Sequence, residues 1–432
     1  MADSRSLRLN LPYLLGVYAA VNTVRDAYLL VDGPQCISFK AEHLSGKHDW
    51  RSTLLDPSGY HRIVMTGTTW DTVTFSREQR IKTLLDRVLK RPDAGLVMVS
   101  SLTMCGLSGI QYDRLIKPLS RKTRTPFLEI RCDSLDQDWL DGYASVWEEI
   151  ARNIDLGRSK RERNAVAVVG HLMDRNEGDQ NGNLAELKRM FKALGLDLAS
   201  AWPSGGPYAD LTEARRASAV ISLPYARKAA SALARRLKVP LIETELPFGL
   251  DASTRWVRKV AATLGRDTAA ERFIDAELRR VVPPLEWAAP QVFLNRRLLY
   301  LGDPHLLEGF CEIAALLGAR VEASAVVSRE GRLGPRALAL DPPPLVEPEE
   351  TALLAAVKAG GPYDLCVANN VGWQVLGLEA GPVMEFGFPS YFHHALASRP
   401  FLGFLGFLNF ADRLSEHLML ARMRAVSERT LA

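Results

Sequence analysis

The chain has five cysteines, Cys36, Cys105, Cys132, Cys311 and Cys366. The first three share a setting. Cys36 follows the apolar run Ala27-Tyr28-Leu29-Leu30-Val31 and the turn Asp32-Gly33-Pro34. Cys105 follows Gly95-Leu96-Val97-Met98-Val99, and Cys132 follows Phe127-Leu128-Glu129-Ile130. Each thiol stands where a strand gives way to a helix, and the carboxyl ends of strands are where open α/β sheets bind ligands. A helix N-terminus also favours the thiolate, the form that holds iron or attacks as a nucleophile. Separated loops of this kind can build an iron–sulfur site. Three unrelated small core residues would give the same pattern, because free cysteine is commonly buried. Cys311, on an amphipathic helix, and Cys366, inside a strand, read as core.

Other chemistry is absent by motif. There is no GxxxxGK[ST] and no GxGxxG after a strand, so neither ATP hydrolysis nor dinucleotide binding is expected of this chain. HExxH, CxxC and GxSxG are missing too. His393-His394 follows a later strand as candidate proton donors or metal ligands.

The elements that must position these residues alternate. Short apolar strands and amphipathic helices succeed one another from residue 11 to residue 150, restart at Ala165 and restart again at Arg297, with the strand Ala165–Gly170 and the helices Glu78–Leu89, Leu184–Leu194, Arg227–Leu237 and Phe410–Met423 among them. That pattern predicts parallel sheets covered on both faces. The expectation is α/β, with three doubly wound, Rossmann-like domains around a central cleft. The domain spans are 1–157, 164–283 and 292–432, with boundaries at the basic cluster 158–163 and at Pro283-Pro284. Residues 328–349, with five prolines, read as a long surface loop.

Composition bounds the rest. A 432-residue chain that is 47% hydrophobic can bury several cores. A net charge of +4 with dispersed basic residues gives no reason to expect nucleic acid. An odd, sparse set of cysteines points to a reducing, cytoplasmic compartment. Leu11–Val21 loosely mimics a signal peptide but holds Pro12 and Gly16, and no run reaches the ~18 apolar residues of a membrane span.

At this point the residues match a known family. The chain resembles component 1 of the nitrogenase superfamily, from about residue 10 to about 415. Gly33-Pro34-Gln35-Cys36 is similar to the family's Gly-Pro-x-x-Cys ligand motif, shortened by one residue. Thr103 to Asp113 is similar to its Thr-x-Cys-x4-Ile-x2-Asp motif. Residues 65–75 resemble a segment that leads into a Val-Phe-Gly-Gly turn, which is lost here. The segment Glu385-Phe386-Gly387-Phe388-Pro389-Ser390-Tyr391-Phe392-His393-His394 gives the closest match.

The resemblance implies a subunit of a two-component reductase. An ATP-hydrolysing iron protein would supply electrons, and the substrate would be a small conjugated molecule of the tetrapyrrole kind. It also implies a [4Fe–4S] cluster at an interface with a second component 1 subunit, identical or related, in a dimer. Cys36 and Cys105 would be ligands, with Cys132 beside the cluster or substituting. The chain departs from the family in lacking a thiol near Asn10 and any cysteine between 132 and 311. Both absences argue against a dinitrogen-reducing α-type subunit. A scaffold for metallocofactor assembly and a degenerate, metal-free partner subunit are the alternative readings.

Overall fold

The computed structural model describes residues 9–431 apart from 70, 107–108, 132–135, 159 and 378–380. It contains three parallel sheets flanked by helices, as the alternation predicts. The chain forms two compact units, Pro12–Asn181 with Leu196–Thr244, and Met1–Leu11 with Gly182–Gly195 and Glu245–Ala432.

The first of these units carries two sheets. It opens with helix α1 (Tyr13–Asn22), all ten residues of which are buried. The apolar run that mimics a signal peptide is therefore core. Strand β1 (Ala27–Asp32) follows, then α2 (Ser38–Leu44), β2 (Ile63–Met65), α3 (Glu78–Leu89), β3 (Leu96–Ser101), the single turn α4 (Thr103–Gly106), α5 (Tyr112–Lys122), β4 (Phe127–Ile130) and α6 (Trp139–Asn153). The strand order is β2-β1-β3-β4, all parallel. Every residue of β1 is buried, which is why its sequence is a continuous apolar run rather than an alternating one. One face of the sheet, with Tyr28, Leu30, Val97 and Val99, receives Ile81, Leu84, Leu85 and Val88 of α3 and Leu115 and Ile116 of α5. Those i, i+3, i+4 spacings are the helical signal legible in the sequence.

Helices α1 and α6 cross where two glycines remove the side chains. A Cβ on Gly16 would lie 1.7 Å from the Trp139 carbonyl oxygen, and one on Gly142 would lie 2.0 Å from that of Tyr13. Asp138 caps α6 and forms a capping box with Asp141.

The second sheet comprises β5 (Ala165–Val169), β6 (Asp197–Trp202), β7 (Ala219–Ser222) and β8 (Leu241–Glu243), ordered β6-β5-β7-β8. Helix α7 (Gly178–Ala193) joins β5 to β6, begins six residues before the expected Leu184, and from Gly182 onward is counted with the other unit. The short α8 (Tyr208–Leu211) and α9 (Arg227–Leu237) complete this region. In the basic cluster, Arg161 donates to the Leu237 carbonyl and Glu162 pairs with Arg216.

The other unit holds α10 (Leu250–Leu264), α11 (Asp267–Ala288), β9 (Arg297–Gly302), α12 (Pro304–Leu316), β10 (Arg320–Val326), α13 (Pro335–Leu338), β11 (Leu345–Val346), α14 (Glu350–Gly360), β12 (Leu365–Ala368), α15 (Asn370–Leu376), β13 (Val383–Glu385) and α16 (Gly403–Leu431). Its sheet runs β11-β10-β9-β12-β13. Helix α11 passes through Pro283 and Pro284. The carbonyls those prolines leave without donors belong to Arg279 and Arg280, which are solvent-exposed, so water can satisfy them. The 328–349 segment is not all loop. It contains α13 and the two-residue strand β11, whose Leu345 and Val346 pair with Ala325 and Val326 of β10. A two-residue strand has no periodicity to read, and only the neighbouring backbone defines it.

Candidate functional site

The site begins at a register position. Asp32, the last residue of β1, pairs with Ser101, the last residue of β3. Cys36 lies four residues beyond Asp32, and Cys105 four residues beyond Ser101. Two thiols far apart in sequence thus leave adjacent strands at the same level. The third, Cys132, follows the end of β4, the neighbour of β3, by two residues and lies outside the described residues.

Local chemistry shapes both exits. After β1 the Gly33 amide donates to Thr66 Oγ1 (3.0 Å), and the Gly33 carbonyl accepts from the Thr68 amide (2.9 Å). A Cβ at Gly33 would press on the Leu102 side chain at 3.2 Å, so the smallest residue lets the two turns approach. Pro34 then leads into a 3₁₀ turn, Gln35–Ile37, that carries Cys36 at the surface. On the other side the Leu102 amide bonds the Asp32 carbonyl (3.0 Å), and the Cys105 amide bonds the Leu102 carbonyl (2.8 Å). Cys105 is completely buried.

Beside the thiols lies a buried ionic knot that sequence reading missed. The Asp32 carboxylate is fully buried. It accepts from Arg77 Nε (3.2 Å to each oxygen) and Nη2 (3.0 Å), Tyr112 Oη (2.6 Å), Thr66 Oγ1 (2.7 Å) and Thr68 Oγ1 (3.0 Å). Burial alone would raise its pKa, but the hydrogen bonds from Arg77, Tyr112 and Thr66 outweigh it and hold the carboxyl below its ordinary value. Arg77 also reaches the Cys105 carbonyl (3.4 Å) and the Val73 carbonyl. Thr66, Thr68 and Arg77 therefore clamp the ends of β1 and β3 here. An aspartate closing an otherwise apolar strand was the available signal, but its cation stands 45 residues away in the chain.

The Cys105 thiol is pushed up to about 11 by burial and by the negative charge of Asp32, against the opposing pull of Arg77 and a hydrogen bond with Thr68. Cys311 and Cys366 are pushed up to about 12 by burial. Cys366 is wholly buried in β12, and Cys311 is partly buried on α12. Among the described residues no group of three or more His, Cys, Asp and Glu side chains could hold a metal ion. One chain's described residues thus offer two thiols at this end of the sheet.

His393 and His394 belong to the other compact unit. They follow β13 in a loop organised by Glu385. That carboxylate accepts from the backbone amides of Tyr391 (2.8 Å), Phe392 (2.7 Å) and His393 (2.7 Å) and from Ser390 Oγ (3.0 Å). His394 Nε2 lies 3.1 Å from the Tyr391 carbonyl. Both imidazoles are partly exposed, and Phe392 between the loop and solvent packs edge-on against Trp373 at 4.7 Å.

No helix among the described residues is long and apolar enough to cross a membrane. The chain is similar to known proteins over most of its length. The nitrogenase molybdenum-iron protein beta chain of Methanococcus maripaludis is 24% identical, over 94% of this chain and 92% of its own length. The light-independent protochlorophyllide reductase subunit N of Pinus thunbergii is 23% identical over 43% of this chain and 44% of its own. A structure of nitrogenase Cp1 at pH 6.5 superposes with a TM-score of 0.81 at 17% identity, covering 98% of this chain and 95% of the other, a likeness of fold. The profile of the nitrogenase component 1 type oxidoreductases matches residues 13–419, and with nearly the whole chain matched it belongs to that family.

Proposed function

We propose that this chain is the cluster-bearing subunit of a nitrogenase-like two-component reductase. The observation that carries the reading is the equal offset of Cys36 and Cys105 from a paired position on adjacent parallel strands. The donor set fits an iron–sulfur cluster, because thiolates are its usual ligands and the turns at both thiols are fixed by hydrogen bonds. Two thiols from each of two chains make the four ligands of one [4Fe–4S] cluster, and a two-fold axis gives that count directly. Cys132 would stand beside the cluster or substitute for one of the two ligands. Bound there, the cluster would accept and pass on single electrons.

The chain's own residues have defined roles in this reading. The Gly33-Pro34 turn presents Cys36 outward, toward the second component 1 subunit. Phe39 and Phe75, each 69% exposed, are the apolar surface that such a partner would cover. The Asp32–Arg77 knot holds the two exits in register. The electron donor is an ATP-hydrolysing iron protein, consistent with the lack of nucleotide motifs in this sequence. The substrate is a small conjugated molecule, with His393 and His394 as proton donors.

Anaerobic purification with iron and sulfide analysis tests the reading. Near-stoichiometric iron and sulfide in the parent, lost in Cys36→Ala and in Cys105→Ala, is the expected result. A parent chain that binds neither after reconstitution would overturn it. A Cys36→Ala protein with a full cluster would overturn the ligand assignment.

A further inference from the structure

A second site lies away from the thiols, outside the carboxyl ends of β5 and β6. It is a cavity of about 320 Å³ whose lining includes Arg25, Arg51, Thr53, Asn176, Ser204 and Gly205. No carboxylate lines it. Crevices at the carboxyl ends of strands are the usual ligand positions of doubly wound sheets. The volume falls at the small end of ligand pockets, which suits a compact molecule rather than a polymer.

The hydrogen-bond pattern leaves donors in the lining without protein acceptors among the described residues. Neither guanidinium has an ion pair or side-chain hydrogen bond among the described residues. The acids next to them in sequence are engaged elsewhere. Asp49 accepts from Asn22 Nδ2 (2.7 Å), from the Asn176 amide (3.0 Å) and side chain (2.9 Å), and from the Arg51 amide (2.9 Å). Asp26 accepts from the Tyr208 amide (2.6 Å). Ser204 Oγ accepts from the Gly206 amide (3.3 Å), and Thr53 Oγ1 accepts from Arg62 Nε (3.0 Å), so each hydroxyl keeps its proton to give.

The wall is built rather than incidental. The Arg25 amide donates to the Gly206 carbonyl (3.0 Å), which ties the Ser204-Gly205-Gly206 turn to the segment that enters β1. Gly205 has φ +72°, a left-handed backbone that favours glycine in this turn.

We propose that this cavity binds a small oxyanion, a metabolite bearing phosphate or carboxylate groups, clamped by Arg25 and Arg51. Arginine forks match both kinds of oxyanion, and two of them with two hydroxyl donors and no facing acid give an anion its full complement. The site is independent of the cluster proposal, since its residues touch neither thiol turn.

Titration calorimetry of the full chain with inorganic phosphate and, separately, with citrate at constant ionic strength tests this. Saturable binding of either anion is expected, and the stronger of the two identifies the oxyanion class. Arg25→Gln and Arg51→Gln should each weaken it about tenfold or more, the loss of one charge-assisted pair. Both arginines are solvent-exposed, so the unfolding temperature without anion should stay at the parent's value. Arg121→Gln, on the exposed end of α5, should leave binding unchanged. No binding of either anion, undiminished binding in the double variant, or equal loss in Arg121→Gln would each overturn the proposal.

Discussion

Replacing Arg77 by methionine should loosen the carboxyl ends of β1 and β3 more than most buried substitutions. The side chain keeps most of its apolar length but gives up three hydrogen bonds of 3.0–3.2 Å to a fully buried carboxylate. Removing one partner of a buried ion pair typically costs ~3–5 kcal/mol, because the other charge stays buried. Tyr112, Thr66 and Thr68 still donate, so the lower part of that range applies, about 3 kcal/mol. The pH dependence has a definite sign. In the parent, Asp32 is held below its ordinary pKa, so its contribution is present above the unfolded value of ~4 and is lost as pH falls through the folded pKa. Without Arg77, burial is opposed only by the hydrogen bonds from Tyr112, Thr66 and Thr68, and the carboxyl of the folded chain moves up. The deficit should therefore be larger at pH 7 than at pH 5, where the carboxyl can take up a proton. Native-state hydrogen exchange of the β1 and β3 amides localises the measurement to this sheet. A deficit of about 3 kcal/mol corresponds to roughly hundredfold faster exchange. Asp32→Asn combined with Arg77→Met should cost less than the sum of the singles by roughly 1–3 kcal/mol. Additive costs, or a single-variant effect under about 1 kcal/mol, would refute the assignment of the knot as the clamp on these strand ends.

Gly142→Ala should destabilise by ~2 kcal/mol or more in a thermal melt, since its Cβ would fall 2.0 Å from the Tyr13 carbonyl oxygen and part α1 from α6; a melt within error of the parent would contradict that crossing. His171 is fully buried and its pKa is pushed down to about 4 by burial, so the unfolded chain binds a proton between pH ~6.5 and 4 that the folded chain refuses. Its contribution is intact above pH ~6.5 and falls by about 3 kcal/mol toward pH 4, and His171→Leu should flatten urea-unfolding stability across that window. His43, also pushed down to about 4, first by burial, leaves a residual slope of the same sign. Iodoacetamide on the native apo chain, followed by peptide mapping, should modify exposed Cys36 first and leave Cys105 slow, because its thiol is buried and pushed up to about 11; equal rates at the two would contradict the burial of Cys105.

Much of this architecture was legible in the residues. Strands buried on both faces must be short continuous apolar runs, so Ala27–Val31 and Ala165–Gly170 announced themselves, and β1 and β5 match to within a residue. Helices with one apolar stripe carry a 3.6-residue period, and Glu78–Leu89 and Arg227–Leu237 fold over the spans that period defines. The turn signals after Ala27–Val31 and Gly95–Val99 put Cys36 and Cys105 at strand ends.

Elsewhere local signals misled or fell silent. Proline weakens a helix locally, yet Pro283 and Pro284 sit inside α11, next to the exposed Arg279 and Arg280, where water can satisfy the carbonyls they strand. Helices α14 and α15 have no expected counterpart in the alternating pattern, and α16 begins seven residues before the expected Phe410, through the glycine- and phenylalanine-rich stretch at 403–409.

What the sequence determined by itself is therefore each element whose face repeats with a period, and the residue type at each strand end. What only the tertiary structure decided is which ends meet. Asp32 opposite Ser101 is a register between strands some seventy residues apart, and the Asp32–Arg77 pair joins a strand end to a loop 45 residues on. The loop of His393 likewise hangs on a carboxylate eight residues back. Periodicity is a property of one element against one surface, whereas register and ion pairing belong to two segments at once, and no single segment encodes them.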